Sequence, residues 1–129
     1  MREDDLVVVQ HDWIILFDGT STAGWREYNA EYLPDSWNIE NGSLKSSGNG
    51  GDIVYGAQQF DNFELSLEWK IGEGGNSGIF YHVLEGDKYN APYETAPEYQ
   101  VLDEIGFPSP LEDWQKVGAN YAMHPADVD

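Results

Sequence analysis

The sequence contains no cysteine. Disulfide bonds, a thiol nucleophile and a cysteine-ligated zinc site are therefore excluded. Basic residues are scarce, because 6 lysines and arginines stand against 24 acidic residues, for a formal net charge of −18. A chain of this charge repels a phosphate backbone and offers no basic surface, so nucleic-acid binding is disfavoured. The same acidity makes any single carboxylate a weak indicator of a site.

Long apolar segments are also missing. No run approaches the ~20 apolar residues of a membrane-spanning helix, so we predict no membrane span. The first residues, MREDDLVVVQHDW, carry acids where a secretory signal has a basic region, and their apolar run at 6–9 is short. We expect no export signal in this chain.

Helical periodicity is nearly absent, whereas short β-rich runs separated by turn residues are frequent. With 129 residues, 40% of them hydrophobic and 14% aromatic, the chain predicts one packed domain over 1–129. The pattern predicts an all-β sandwich or barrel. Strands are expected at 6–9, 13–17, 36–40, 43–46, 53–55, 63–71, 77–83 and 98–102; a turn is expected at 18–20, irregular chain at 21–34, a long loop at 85–97 and one helical turn at 111–116.

Two hairpins are predicted. Asn41 and Gly42 both tolerate the positive φ of a type I′ turn, and they separate two β-rich runs. Residues 63–71 alternate apolar and polar side chains without a break, and a glycine-rich turn at 72–75 leads to the run at 77–83. We expect these two runs to pair as antiparallel neighbours.

The end of the sequence, at 120–129, is loop-like and polar, and no closing strand follows it. A sandwich that stops there would expose apolar strand faces and sheet edges. The expectation is an incomplete sandwich, to which a second chain or self-association supplies strands, or a fragment of a longer protein.

Candidate site residues lie on the polar side of the last two strands. Period-two alternation places His82 on one strand, and Glu98 and Gln100 on the next, on the face opposite the apolar positions. Asp103 follows where the second strand ends. A carboxylate, an imidazole and an amide on a rigid sheet suit the binding of a polyhydroxylated ligand and the movement of a proton.

Each of these residues also has a plain structural interpretation. Glu98 fits a solvated surface position equally well, a histidine such as His82 is more often a surface or hydrogen-bonded residue than a base, and Asp103 at a strand end is a typical turn residue. Asn76, beside glycines, fits a positive-φ position in a hairpin. Further candidates for ligand binding are Glu68 and Lys70 on the polar face of 63–71, which also fit a surface ion pair, and Tyr89 and Tyr93, which could stack on a sugar from the long loop.

Five motifs occur in an order and spacing that resemble a known family. They are LFDGTSTAGW, WNIENGSL, FELSLEWKI, NSGIFYH and PEYQVLD, and together they extend over most of the chain. The sequence resembles the 3-keto-disaccharide hydrolase domain family. The resemblance implies a concanavalin A-like jelly-roll sandwich of two antiparallel sheets, a carbohydrate ligand, and action on glycosides oxidised at C3, in proteins that are often periplasmic or extracellular. Members of the family usually continue for several more strands past the position equivalent to Asp129.

The substrate class implied by the resemblance defines the chemistry. A ketone at C3 acidifies the C2 proton, so a base can remove it while the glycosidic oxygen leaves from C1, and water then adds to the unsaturated sugar. Glu98 or His82 could be the base, with Asp103 orienting it and Gln100 and Asn76 holding hydroxyls or the enolate oxygen. A divalent cation held by His82, Glu98 and Asp103 is a further option, although their spacing matches no recognised metal motif.

His82 departs from the family pattern, in which arginine commonly follows the Gly-Ile-Phe-Tyr run. Arginine offers a fixed fork of donors, whereas histidine offers one or two and titrates near neutral pH. Two other functions stay open at this point. One is a carbohydrate-binding module without catalysis, and the other is an assembly unit that completes its sandwich by pairing strands with a partner.

Overall fold

The computed structural model describes residues 12–119, and they form an all-β structure of antiparallel strand pairs, as predicted. The pairs are β1 with β4, β2 with β3, and β5 with β6. The predicted strand at 6–9 and the loop-like stretch at 120–129 lie outside the described residues. The strands are β1 (Trp25–Glu27), β2 (Trp37–Glu40), β3 (Ser43–Ser46), β4 (Ile53–Tyr55), β5 (Asn76–Phe80) and β6 (Glu98–Leu102), with 3-10 turns at Pro92–Glu94 and Asp113–Gln115.

The β2–β3 hairpin confirms the strongest local prediction. Asn41 and Gly42 have φ values of 51° and 77°, as a type I′ turn requires. Trp37, Ile39 and Leu44 lie on its more buried face, while the residues between them are exposed. Turn chemistry and alternation together therefore determine this element locally.

Strand β1 corrects the prediction of irregular chain at 21–34. Trp25 lies directly opposite Tyr55 in β4, and their rings meet edge to face with centroids 5.5 Å apart. The indole Nε1 also donates to the carbonyl of Leu16 over 2.8 Å. A strand of three residues is too short to show alternation, and this cross-strand aromatic contact stabilises it instead.

Residues 13–17 and 63–71 form no hydrogen-bonded strand, and both predictions are wrong on this point. The second case is notable because its alternation is the clearest in the sequence. Its apolar side chains, Phe63, Leu65, Leu67 and Trp69, keep 43–46% of their surface exposed. Alternation makes a segment suitable for a sheet, but a strand also needs a partner, and none of residues 12–119 pairs with this one.

The predicted partner of that segment pairs elsewhere. The turn at 72–75 forms as expected, with the Gly75 N–H donating to the Gly72 carbonyl over 2.9 Å. β5 then pairs with β6, so the predicted hairpin between 63–71 and 77–83 is wrong. The ring of Phe63 still lies 5.5 Å from the ring of His82.

β6 lies at the centre of the buried region. Val101 and Leu102 keep 4% and 2% of their surface exposed, and Gln100 also keeps 2%. The backbone of Gln100 pairs on its second edge, donating to Ala119 and accepting from Gly118. Tyr99, which lies between Glu98 and Gln100 on the opposite face, is 43% exposed. From Gln100 onward β6 is therefore buried on both faces, whereas alternation predicts one.

The helical turn predicted at 111–116 is present as the shorter 3-10 turn Asp113–Gln115. Its N-cap residue is Glu112, whose backbone N–H donates to the Gln115 side chain over 2.9 Å. No helix among residues 12–119 has the length and apolar character to cross a membrane.

Candidate functional site

Glu98 opens β6 directly opposite Phe80 of β5. Its carboxyl group does not stay over Phe80, because Cγ, Cδ and Oε1 all lie within 2.7 Å of where a β-carbon on Gly78 would stand. The side chain is half-buried, and burial raises its pKa, with a smaller contribution from the negative charge of Asp52. Among residues 12–119 no hydrogen bond or ion pair reaches this carboxylate, so it is a desolvated acceptor without a partner.

A buried amide lies on the same face, two residues along. Gln100 sits opposite Gly78, and its Nε2 donates to Oδ1 of Asn76 over 3.1 Å. Its Oε1 is buried and has no partner among the described residues. Asn76 is the exposed first residue of β5 and does not have a positive φ, so the turn interpretation of this asparagine does not apply. Asn76, Gly78, Glu98 and Gln100 therefore share one face of the β5–β6 pair.

His82 lies outside this group. β5 ends at Phe80, and His82 has a φ of 56°, in the left-handed region, so the predicted strand does not reach it. Its exposed ring lies 5.5 Å from the Phe63 ring and 6.0 Å from the Tyr81 ring. Within residues 12–119 it forms no hydrogen bond or ion pair with Glu98. The structure therefore does not bring the imidazole and the carboxylate together as a hydrogen-bonded pair.

Asp103 follows the far end of β6 and builds a turn. Its carboxylate accepts hydrogen bonds from the Gly74 N–H over 2.9 Å and the Gly106 N–H over 3.1 Å. These bonds, Gly74 first, hold the pKa of Asp103 below its usual value. Asp103 lies five residue steps from Glu98 along the strand, or about 16 Å at ~3.3 Å per residue.

A metal site from His82, Glu98 and Asp103 has no geometric support in the described part of the chain. No group of three or more His, Cys, Asp or Glu side chains among residues 12–119 is arranged to hold a metal ion. The divalent cation itself stays a prediction from the chemistry of the reaction.

The remaining candidates are spread over the surface. Glu68 and Lys70 lie in the exposed segment 63–71 and form no ion pair among the described residues. Tyr93 lies in the 3-10 turn Pro92–Glu94 and is 72% exposed, so a ring face is available for stacking. Tyr89 is half-buried, and the Nζ of Lys88 lies 5.2 Å from its ring centroid.

Sequence reasoning missed the clamp that holds the long loop against β1. Arg26 of β1 donates to both carboxylate oxygens of Glu85, over 2.6 and 2.5 Å. Glu85 also accepts from the backbone N–H of Asn29, and the hydroxyl of Tyr28 donates to the Leu84 carbonyl over 2.6 Å. Hydrogen bonding to Arg26 lowers the pKa of Glu85. The sequence did contain one indication of this pair. Arg26 is one of only six basic residues among 24 acids, and such a cation is expected to form an ion pair.

The clamp gives a stability prediction. Glu85→Gln keeps the shape but removes the charge, and we expect the free energy of unfolding to fall by about 1–2 kcal/mol, the low end for charged hydrogen bonds, because Arg26 and Glu85 keep 29% and 28% of their side chains exposed. Urea denaturation measures this, and faster amide exchange over 84–90 should accompany it. The matched control is Glu40→Gln, because the Glu40–Lys45 pair is about half exposed and should contribute little. Equal effects of the two substitutions would contradict the clamp.

Comparison with known proteins agrees with the sequence motifs. Residues 12–129 match the family described as the 3-keto-alpha-glucoside-1,2-lyase-like domain. A protein of Bacteroides thetaiotaomicron named "3-keto-disaccharide hydrolase" is 42% identical over an alignment of 113 residues, and the alignment covers 74% of this chain and 39% of that protein. This chain thus spans about two fifths of that curated relative.

A solved structure supports the fold. The crystal structure of a "putative glycosyl hydrolase" from Parabacteroides distasonis superimposes with a TM-score of 0.74 at 37% identity, covering 90% of this chain and 56% of that one. The match extends over nearly all of this chain, and the resemblance drawn from the five motifs is confirmed. The chain therefore belongs to the 3-keto-alpha-glucoside-1,2-lyase-like domain family.

Proposed function

We propose that this chain takes part in cleaving the glycosidic bond of 3-keto-glycosides, with Glu98 as the base that removes the C2 proton. The observation that carries the proposal is the half-buried Glu98 carboxylate, whose pKa is raised and which no described residue neutralises. A base of raised pKa that is free of ion pairs is suited to accept a proton from carbon. The names of the family and of the Bacteroides relative supply the substrate class.

The reaction has two steps. Glu98 takes the proton from C2, the electrons form the C1–C2 double bond, and the C1–O bond breaks as the leaving oxygen acquires a proton. Water then adds across the double bond, with its oxygen on C1 and a proton on C2. The ketone makes the first step feasible because it delocalises the developing negative charge as an enolate.

Asn76 and Gln100 have different parts in this proposal. Gln100 is too buried to touch a substrate, but it holds Oδ1 of Asn76, and the Nδ2 donors of that exposed residue form no hydrogen bond among residues 12–119. Asn76 lies two strand residues from Gly78, over which Glu98 leans, or about 7 Å along the sheet. Asn76 is thus suited to hold a hydroxyl or the enolate oxygen, and Gln100 positions it.

The test is incubation of the protein with 3-keto-trehalose, followed by NMR, with unoxidised trehalose as the matched substrate. We expect release of 3-keto-glucose and no cleavage of trehalose, since without the ketone the C2 proton is not acidic. In D₂O the product should carry deuterium at C2, beyond the exchange seen in 3-keto-glucose alone. Cleavage of both sugars without deuterium would contradict the elimination mechanism.

A parallel incubation with EDTA, and then with added Mg²⁺ or Ca²⁺, tests the cation. Activity that EDTA abolishes and a metal restores would assign a divalent cation to the reaction, with ligands beyond the set that residues 12–119 bring together. Unchanged activity in EDTA would mean that the reaction requires side chains alone and no divalent cation.

A carbohydrate-binding module is the second candidate, and the exposed ring of Tyr93 favours it. Chemical-shift changes on sugar titration without turnover would support this function. The third candidate function is assembly with a second chain or a second copy, because the exposed apolar side of 63–71 suits strands from a partner. If the protein shows neither turnover nor sugar binding, light scattering would test for this self-association.

A further inference from the structure

Gly78 lies in the middle of β5, where its backbone does not require glycine. Its φ is outside the positive region, and it pairs in regular register with Gln100. Glycine within a strand weakens the strand and commonly marks a close approach by another group. We therefore expect another group to occupy the space beside Gly78.

That space is filled by Glu98. A β-carbon at position 78 would lie 2.4 Å from Cδ, 2.5 Å from Cγ and 2.7 Å from Oε1 of Glu98, and these are the three nearest atoms outside residues 77–79. No atom of the backbone or of any other residue is among them. The end of the Glu98 side chain thus crosses diagonally from its own register position, opposite Phe80, to lie over Gly78.

We propose that Gly78 is a positioning residue for Glu98, because the absence of a side chain at 78 is what allows the carboxylate to lie half-buried across β5. The proposal rests on the proposed function for its catalytic meaning, in which Glu98 is the base. The position of the Glu98 side chain over Gly78 does not depend on that function.

A side chain at 78 would act on Glu98 rather than on the fold. The obstructing atoms belong to a flexible side chain, so the cheapest response is rotation of Glu98 toward solvent, while β5 and β6 stay paired. The displaced carboxylate regains water and loses its burial. Among the described residues Asp52 is the charged group that also acts on Glu98, and its influence falls as the carboxylate moves away.

The test is Gly78→Ala in the full chain, with Gly72→Ala as the matched control. Gly72 also lacks a positive φ, and a β-carbon there meets no atom within 4 Å. We expect the carboxyl ¹³C titration of Glu98 to shift to lower pH in Gly78→Ala and to stay unchanged in Gly72→Ala. Turnover of 3-keto-trehalose should fall by about 10- to 100-fold, as for a base displaced by about 1 Å, and the acidic limb of its pH profile should move to lower pH.

A double-mutant cycle separates this proposal from the proposed function. Gly78→Ala should change the melting temperature by a different amount in the wild-type background than in Glu98→Ala, since the carboxylate is what the methyl group displaces. A lowered Glu98 titration with this coupling, in a protein that turns over no 3-keto sugar, would keep the positioning role and reject the enzyme. An unchanged Glu98 titration in Gly78→Ala, or equal effects in both backgrounds, would overturn the positioning role even if the protein is an active enzyme.

Discussion

Glu98→Gln should lower the turnover of a 3-keto-disaccharide by about 10²- to 10⁴-fold, the range that removal of a general base typically produces. The amide has nearly the same shape as the carboxyl group but cannot accept the C2 proton. Because the pKa of Glu98 is raised, the wild-type rate should climb with pH through a value above that of an ordinary glutamate, about 4.3. Single-turnover NMR of wild type and variant measures both effects.

The same substitution, Glu98→Gln, should lower turnover but raise the thermal stability of the protein at pH 7. A carboxyl group whose pKa is raised on folding binds protons more tightly in the folded state, so the wild type loses stability as pH rises above the ordinary glutamate value. Glu98→Gln lacks this penalty. We expect a higher melting temperature than wild type at pH 7, and no such difference below pH ~4. A lower melting temperature at pH 7 would mean that the carboxylate is bound by a stabilising partner, contrary to its assignment as a free base.

Gln100→Glu should be among the most destabilising single substitutions in the chain. It places a carboxyl group of the same shape at a position with 2% exposure, beside the carbonyl-type oxygen of Asn76 and on the same face as Glu98. We expect a loss of about 3 kcal/mol or more at pH 7, as for an unpaired buried charge. The loss should shrink as pH falls and the new carboxyl group takes up a proton. Urea titrations at pH 7 and pH 4 measure the difference.

Gln100→Met is the matched control for that substitution. It keeps the volume, and it removes an Oε1 that no described residue satisfies, so stability should stay within about 1 kcal/mol of wild type. Asn76 then loses the donor that orients it, and we expect a several-fold rise in KM with a smaller change in kcat. Unchanged kinetics in this variant would show that the Asn76–Gln100 pair has no part in substrate binding.

The prediction of local structure succeeded where neighbouring residues are sufficient to determine it. The β2–β3 hairpin follows from two residues that accept positive φ, and the turn at 72–75 follows from its glycines. Alternation also placed Glu98 and Gln100 on one face of β6, as the register shows. The five motifs indicated the family, which the comparisons confirm.

Prediction of the site was only partly successful for a related reason. Alternation extended to His82 would have placed it beside Glu98, but the strand ends at Phe80, and His82 itself adopts a left-handed backbone conformation with its ring near Phe63. Asp103, considered as a partner of the base, is held in a turn by two backbone N–H groups about 16 Å away along β6. A one-dimensional pattern specifies which face a residue occupies, but not where the strand stops.

The sequence by itself determined the fold class, the family, the type I′ hairpin and the shared face of Glu98 and Gln100, because turn chemistry and period-two alternation act between near neighbours. Only the tertiary structure decided that 63–71 has no strand partner among residues 12–119, that β6 is buried on both faces, that Arg26 clamps Glu85, and that the glycine at 78 makes room for Glu98. Each of these depends on which distant segment lies alongside another. Pairing and burial between segments far apart in the chain are set by competition among all strands for partners, which no local pattern encodes.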